Sequence, residues 1–163
     1  MAETKPLTIV VCAVFFLALF IQSAAALSPS DAPVDVEVGA LLVNVEKVDL
    51  SANSYRLDFY LWFKFDPAKI SLAEVKEFEF INGAPSKYEV KVDEAGGYLE
   101  YRVRGDFIKT FDFTQYPFES HELAVMLEHK NLNRSCMVFK ESAESGMEST
   151  ASVVGWELRD FKT

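Results

Sequence analysis

The sequence predicts an all-β fold, an antiparallel sandwich of short strands, on two observations. Apolar and polar residues alternate in several segments, most regularly over the run from Tyr55 to Phe65. Clusters of turn-forming residues separate these segments at intervals of roughly 8 to 12 positions, a spacing that is typical of sandwiches. A period of two directs every second side chain to the same face of a strand, so each segment can bury one face in a shared core.

The first element is a predicted signal peptide over residues 1–26. Lys5 gives a positive start, Leu7–Ile21 is apolar, and the Ser-Ala-Ala-Ala run at 23–26 offers the small residues that signal peptidase accepts. An apolar run of about 15 residues is short for a membrane span, which needs roughly 20, although an uncleaved anchor is the alternative. We therefore expect export of a single domain over 27–163, to the periplasmic or extracellular face of the plasma membrane or into the medium.

Strands and turns succeed one another along this domain. The predicted strands are Val34–Val48, Tyr55–Phe65, Phe78–Ile81, Tyr88–Val92, Leu99–Val103, Glu122–Glu128, Met137–Phe139 and Val153–Phe161. Ser71 and Glu74 have the spacing that caps a short helical turn, and the turn at 94–97 closes a hairpin. The sequence stops within apparently structured residues, so we expect the domain to be truncated before its last strands.

Charge and cysteine content narrow the function. The formal net charge of −9 disfavours nucleic acid as a partner. Cys12 lies in the predicted leader, so Cys136 is alone in the mature domain and no intramolecular disulfide can form there. Such a cysteine is usually buried or incidental, and an intermolecular bridge is the alternative.

The most informative motif is the turn Tyr116-Pro117-Phe118-Glu119 between two predicted strands. Proline fixes its own backbone and biases the preceding residue to an extended shape, so the turn is expected to be rigid. We expect the aromatic residues on either side of the proline to pin the turn by burial and Glu119 to stay accessible at its rim. The alternative is a well-packed strand connection without a further role.

The order of these pieces resembles the extracellular ligand-binding domain of pentameric ligand-gated ion channels, the Cys-loop receptor superfamily. The resemblance is to prokaryotic members, because cysteines are absent at the expected positions near Lys109 and Leu123. The turn matches the aromatic-Pro-Phe-Asp signature loop, with Glu119 in place of Asp. Further matching segments, in order, are Phe59–Trp62, Glu79–Asn82, Tyr101–Arg104 and Gly155–Trp156. The resemblance implies an immunoglobulin-like β-sandwich.

The resemblance also implies a homopentamer that binds a small molecule between subunits. Binding would be coupled to a membrane pore domain expected downstream. Tyr116, Pro117, Phe118 and Glu119 would form the coupling loop. The implied ligand-binding residues are Phe80, Asn82, Lys130 and Asn131 on one side of the interface and Tyr101, Arg102 and Arg104 on the other.

The chemistry of these positions favours an anion over an amine. Leu57 and Ile81 stand where an aromatic cage for a cation would need rings. Arg102 and Arg104 share one strand face and suit a carboxylate. The alternative is that they pair with Glu100 or Asp106 on a solvated face.

Catalysis, a metal and a cofactor are not expected. Ser120 and His121 are adjacent and point to opposite faces of a strand, and His129 is too far from His121 to share a metal with it. The acidic loop with Glu141, Glu144 and Glu148 could gather a divalent cation, but a flexible acidic loop is the simpler interpretation. The alternative function is a soluble or sensor-type periplasmic module that binds a small molecule without a channel.

Overall fold

The computed structural model describes residues 32–114 and 118–162, so the predicted signal peptide and Tyr116 and Pro117 of the turn lie outside the described residues. The described strands are β1 (Val34–Asp49), β2 (Ser54–Lys64), β3 (Phe78–Phe80), β4 (Ser86–Asp93), β5 (Tyr98–Ile108), β6 (Leu127–His129), β7 (Met137–Glu141) and β8 (Gly146–Met147). In this part of the chain the only helix is the four-residue α1 (Leu72–Val75), and none is long and apolar enough to cross a membrane. The all-β class is confirmed.

Two sheets make up the domain. The larger has the order β4-β5-β2-β1-β7, with β8 also paired to β1, and the smaller consists of β3 and β6. The predicted hairpin is present, since β4 and β5 pair antiparallel around the turn at 94–97. β2 lies between β1 and β5 and is antiparallel to both.

The expectation of a purely antiparallel arrangement is wrong, because β7 and β8 run parallel to β1. The chain leaves the small sheet after β6 and enters the large sheet beside β1 in the same direction as β1. Parallel neighbours need such a crossover, which no hairpin can provide. The large sheet is therefore mixed.

The core lies between the sheets and is built mainly from β2. As the alternation predicted, Tyr55, Leu57, Phe59, Leu61 and Phe63 are all buried. The smaller sheet contributes Phe78, whose ring centroid lies 4.8 Å from that of Phe63. Burial of one such aromatic side chain contributes roughly 1.5–3 kcal/mol.

Local signals in the sequence fix the turns around β2. Ser71 caps α1 as predicted, because its hydroxyl oxygen accepts a hydrogen bond from the Glu74 amide at 3.2 Å. Gly97 has a φ of 66° in the β4–β5 turn, and its carbonyl accepts a hydrogen bond from the Phe65 amide at 2.8 Å. A Cβ on Gly97 would lie 1.9 Å from the Phe65 carbonyl oxygen. Only glycine fits this turn.

Two predicted strands are wrong in extent. The strand expected over Glu122–Glu128 is limited to Leu127–His129, because side chains bind the backbone of the preceding residues: Asn82 accepts from the Met126 amide and donates to the Ala124 carbonyl. The strand expected over Val153–Phe161 is reduced to one bridge between Val153 and Trp156. Gly155, with a φ of 82°, turns the chain there.

Candidate ligand-binding site

Arg102 lies on the face of the large sheet that points away from the core. Its guanidinium is 2.5 Å from the Asp58 carboxylate on β2 and 4.4 Å from the centroid of the Tyr60 ring. The hydrogen bond from Arg102 to Asp58 raises the pKa of the guanidinium. Asp58 and Arg102 are each 16% exposed in their side chains, so this pair is shielded from water more than the other ion pairs of the face.

Arg104 and Arg56 continue the row of charges along the same strands. Arg104 lies 2.5 Å from Glu46. Arg56 binds Asp106 through two hydrogen bonds of 2.9 and 2.5 Å, and these hold the pKa of the Asp106 carboxyl below its ordinary value.

Arg102 and Arg104 both pair with acidic residues, as the alternative interpretation held, but their partners are Asp58 and Glu46 in place of Glu100 or Asp106. Arg102 pairs with Asp58, which lies diagonally across from it on β2, and Arg104 pairs with Glu46 of β1, two strands away in the sheet.

An open pocket of about 810 Å³ borders Arg56 and Arg104, whereas Arg102 is not among its lining residues. Its lining combines Arg56 and Arg104 with Asn82 and with Ile81 and Ile108, whose side chains are strongly exposed. The family resemblance implied that Asn82 and Arg104 lie on opposite sides of a subunit interface, whereas one chain brings both to this pocket. Two guanidinium groups beside exposed apolar side chains suit an amphipathic anion.

The side-chain amide of Asn82 bonds to other residues of the same chain. Its amide nitrogen donates to the Tyr55 hydroxyl at 3.1 Å and to the Ala124 carbonyl at 2.7 Å, and its oxygen accepts from the Met126 amide at 2.9 Å. The Tyr55 hydroxyl donates to the same Ala124 carbonyl. Asn82 thus shapes the wall of the pocket by holding the segment before β6 against the large sheet.

The other predicted ligand-binding residues do not reach this pocket. Tyr101 is buried in the core, and burial raises its pKa to about 12. Phe80 packs edge-on against Phe59 and Phe107 at the core margin. Lys130 lies 3.3 Å from Glu77, and the neighbouring Asn131 is exposed.

Sequence reasoning missed Lys87, which lies over the core margin. Its amine is 3.8 Å from the centroid of the Phe78 ring and 5.5 Å from that of Tyr101. Partial burial, followed by the charge of Lys130, lowers the pKa of this amine. In the sequence Lys87 only alternates with apolar residues on an exposed strand, so its contact with the Phe78 ring could not be predicted. That contact depends on how the small sheet packs.

The described part of the coupling loop differs from the expectation. Phe118 is 87% exposed, so it does not pin the turn by burial. The Glu119 side chain is only 8% exposed and lies 3.5 Å from the His121 ring nitrogen, so it is not accessible at the rim. Phe111 and Trp156 enclose that imidazole, with ring centroids at 5.0 and 5.5 Å. A chain direction that buries Glu119 turns the neighbouring Phe118 outward.

The segment that follows β5 is tied to the β1–β2 turn. The Lys109 amide donates to the Asn53 carbonyl at 2.9 Å, and the Phe111 amide donates to the Asn53 side chain at 3.2 Å. The β1–β2 turn and the segment after β5 are thus held together at one end of the large sheet.

The described residues contain no group of three or more His, Cys, Asp or Glu side chains that could hold a metal ion. In the acidic loop, Glu144 pairs with Lys64 at 2.7 Å. Ser120 is exposed while His121 is enclosed by aromatic rings. Cys136 is a free, exposed thiol, so of the two usual cases for such a cysteine it is not the buried one.

No protein-family model and no curated protein sequence matches this chain.

Proposed function

We propose that this chain is the extracellular, immunoglobulin-like ligand-binding domain of a pentameric ligand-gated ion channel, exported by a signal peptide and acting without catalysis. A small molecule bound between subunits would favour one packing of the domains, and the loop with Phe118 would pass that preference to a pore. The proposal assigns the pore to residues downstream of Thr163.

The observation that carries the proposal is the exposed Phe118, which follows a segment bonded to the β1–β2 turn at one end of the large sheet. Phe118 is 87% exposed, and the Lys109 and Phe111 amides of the preceding segment donate hydrogen bonds to Asn53. An exposed aromatic side chain offers a neighbouring domain a contact surface, which supports transmission of a conformational change over a simple strand connection.

The ligand that fits best is an amphipathic carboxylate. Arg104 and Arg56 supply guanidinium groups, and Ile81 and Ile108 supply apolar surface. Because Glu46 and Asp106 now occupy those guanidinium groups, a carboxylate would bind by exchanging with them. Such an exchange breaks contacts that fix β5 to β1 and β2, which gives the ligand a means to change the packing of the sheet.

Titration with benzoate tests the ligand site. We expect saturable changes in the amide NMR signals of Arg56, Asn82 and Arg104, and loss of those changes in Arg104→Gln. Arg159→Gln is the matched control, because Arg159 is exposed and pairs only with Glu157. Benzoate binding that survives Arg104→Gln and Arg56→Gln would contradict the assignment of the site.

Native mass spectrometry and the downstream coding sequence test the channel itself. Rings of five subunits, and four apolar stretches of about 20 residues after Thr163, are the expected results. A kinase or cyclase domain, or a stop codon directly after Thr163, would instead support a sensor or soluble binding module.

A further inference from the structure

The turn that leads into β7 contains an asparagine in the acceptor pattern for N-linked glycosylation. Asn133, Arg134 and Ser135 form an Asn-x-Ser tripeptide whose middle residue is not proline. Of the five asparagines in the sequence, only Asn133 is followed two positions later by a serine or a threonine. So short a pattern also arises by chance, so the surrounding structure decides whether the asparagine can serve as an acceptor.

The tripeptide lies on the surface of the domain. Asn133, Arg134 and Ser135 are all exposed and belong to the connection between β6 and β7. The side chain of Met137, the first residue of β7, is the first after the tripeptide to enter the core, where it is 5% exposed. An oligosaccharide is bulky and must project into water, and an exposed turn permits this without displacing core residues.

Hydrogen bonds within the turn set the orientation of the Asn133 side chain. Its oxygen accepts from the Ser135 backbone amide at 2.9 Å and from the Ser135 hydroxyl at 2.5 Å. A backbone N–H group can only donate, so the side-chain oxygen faces Ser135 and the side-chain nitrogen points away from it. Among the described residues, the contacts of this side chain are made by the oxygen, which leaves the nitrogen open.

The turn is closed by bonds that do not involve this nitrogen. The backbone carbonyl of Asn133 accepts from the Cys136 amide at 3.0 Å and from the Met137 amide at 3.1 Å. Substitution at the side-chain nitrogen leaves these bonds, and the two bonds from Ser135, in place. The folded turn is therefore compatible with a sugar on Asn133.

The other asparagines lack this combination. The side chains of Asn44, Asn53 and Asn82 accept hydrogen bonds from backbone amides of distant segments, so they are used in the fold. Asn131 is exposed, but the residue two positions later is an asparagine without a hydroxyl. The acceptor pattern and an open amide nitrogen therefore coincide at Asn133.

We propose that Asn133 is an N-glycosylation site whose sugar donor is an oligosaccharide carried on a polyisoprenyl diphosphate in the membrane crossed during export. The bond formed joins Asn133 Nδ2 to C1 of the first sugar, and the bond broken joins that C1 to the diphosphate oxygen. The diphosphate leaves with the bonding electron pair, and the amide gives one proton to a base of the membrane transferase. This assignment rests on the proposed export and not on the ligand or the channel, and other residues line the carboxylate pocket.

Cell-free translation of the 163-residue chain with endoplasmic-reticulum microsomes tests the site, because the microsomes supply the lipid-linked oligosaccharide and the transferase. We expect a product of lower gel mobility that is protected from added protease and that endoglycosidase H returns to the mobility of the unmodified chain. Asn133→Gln should abolish this shift. Ser135→Ala should also abolish it although the asparagine is kept, whereas Ser135→Thr keeps a hydroxyl and should retain the shift.

Asn131→Gln is the matched control, because it changes an exposed asparagine in the same connection and should leave the shift unchanged. The natural protein, purified from its source, gives a second measurement. Peptide-N-glycosidase should convert Asn133 to aspartate there, which mass spectrometry detects in the peptide released by cleavage after Glu128 and Glu141.

The outcomes separate failure of export from failure of the site. A chain that protease degrades in the presence of intact microsomes would overturn export and this site with it. A protected chain without a glycan, a glycan that persists in Asn133→Gln, or an unmodified Asn133 in the natural protein would overturn the site alone.

Discussion

Asn82 connects three parts of the chain through one side-chain amide. Tyr55 belongs to β2, while Ala124 and Met126 belong to the irregular segment before β6. These bonds hold the irregular segment against β2, and the Tyr55 hydroxyl also donates to the Ala124 carbonyl. The amide therefore replaces a length of β-ladder.

Asn82→Ala should lower the free energy of unfolding by about 1–3 kcal/mol, because it removes these bonds together. Urea denaturation measures the change. Asn131→Ala is the control, because that side chain is exposed, and it should stay within about 0.5 kcal/mol. Equal effects of the two substitutions would show that the amide has no structural role.

Tyr98 and Tyr101 should ionise late in an alkaline titration. Burial raises both pKa values to about 12, assisted by Glu100 at Tyr98 and by Glu89 at Tyr101. The folded state favours the neutral phenols, so the stability they contribute is complete below pH 10 and is lost as the pH rises toward 12. An alkaline titration followed by tyrosinate absorbance should show one fewer late-titrating tyrosine in Tyr98→Phe than in the original chain, and likewise one fewer in Tyr101→Phe. Loss of an early-titrating group would contradict this.

At the level of single residues, the pocket lined by Arg56 and Arg104 could be predicted only in part. The resemblance named Arg102, Arg104 and Asn82 as candidates, and Arg104 and Asn82 line the pocket. The contacts they make lie elsewhere in the chain, and a single sequence does not fix the register between strands. Arg56 alternates with core residues just as an ordinary surface residue does. Its role at the pocket follows only from the pairing of β2 with β5.

At the scale of elements, the β4–β5 hairpin depends on its glycine turn. Gly97→Ala combines a disfavoured backbone angle with a clash against the Phe65 carbonyl, so it should destabilise the domain by more than about 1 kcal/mol. Thermal unfolding measures the difference. Gly146→Ala is the matched control, because no atom lies within 4 Å of its added Cβ. A Gly97→Ala protein as stable as the control would refute this account of the turn.

Elements governed by local pattern were predictable. β2 and the β4–β5 hairpin follow from alternation and turn residues within a short window. The segment before β6 has the same alternation, yet the side chains of Asn82 and Tyr55 bind its backbone in place of a strand. Distant hydrogen bonds of this kind leave no local signal.

At the scale of the whole molecule, two phenylalanines near the coupling loop differ in burial. Phe111 is buried in the core, whereas Phe118 is exposed at the end of the domain. The motif predicted that an aromatic-proline turn lies here. Which ring faces outward depends on the burial of Glu119 beside His121.

Phe118→Ser should therefore leave the free energy of unfolding within about 0.5 kcal/mol of the original value, while Phe111→Ala should lower it by about 3–5 kcal/mol. Chemical denaturation of both variants measures the contrast. A large loss from Phe118→Ser would mean that this ring is packed in solution and is not free to contact another domain.

The parallel pairing of β7 with β1 has a consequence for biosynthesis. More than half of the chain separates the two strands, so the ribosome must produce β7 long after β1 has emerged. Until then the outer edge of β1 is a bare template for other nascent chains, and closing so distant a pair is slow. Holding chaperones that shield extended polypeptide should therefore matter most for this protein while residues 137–141 are still untranslated.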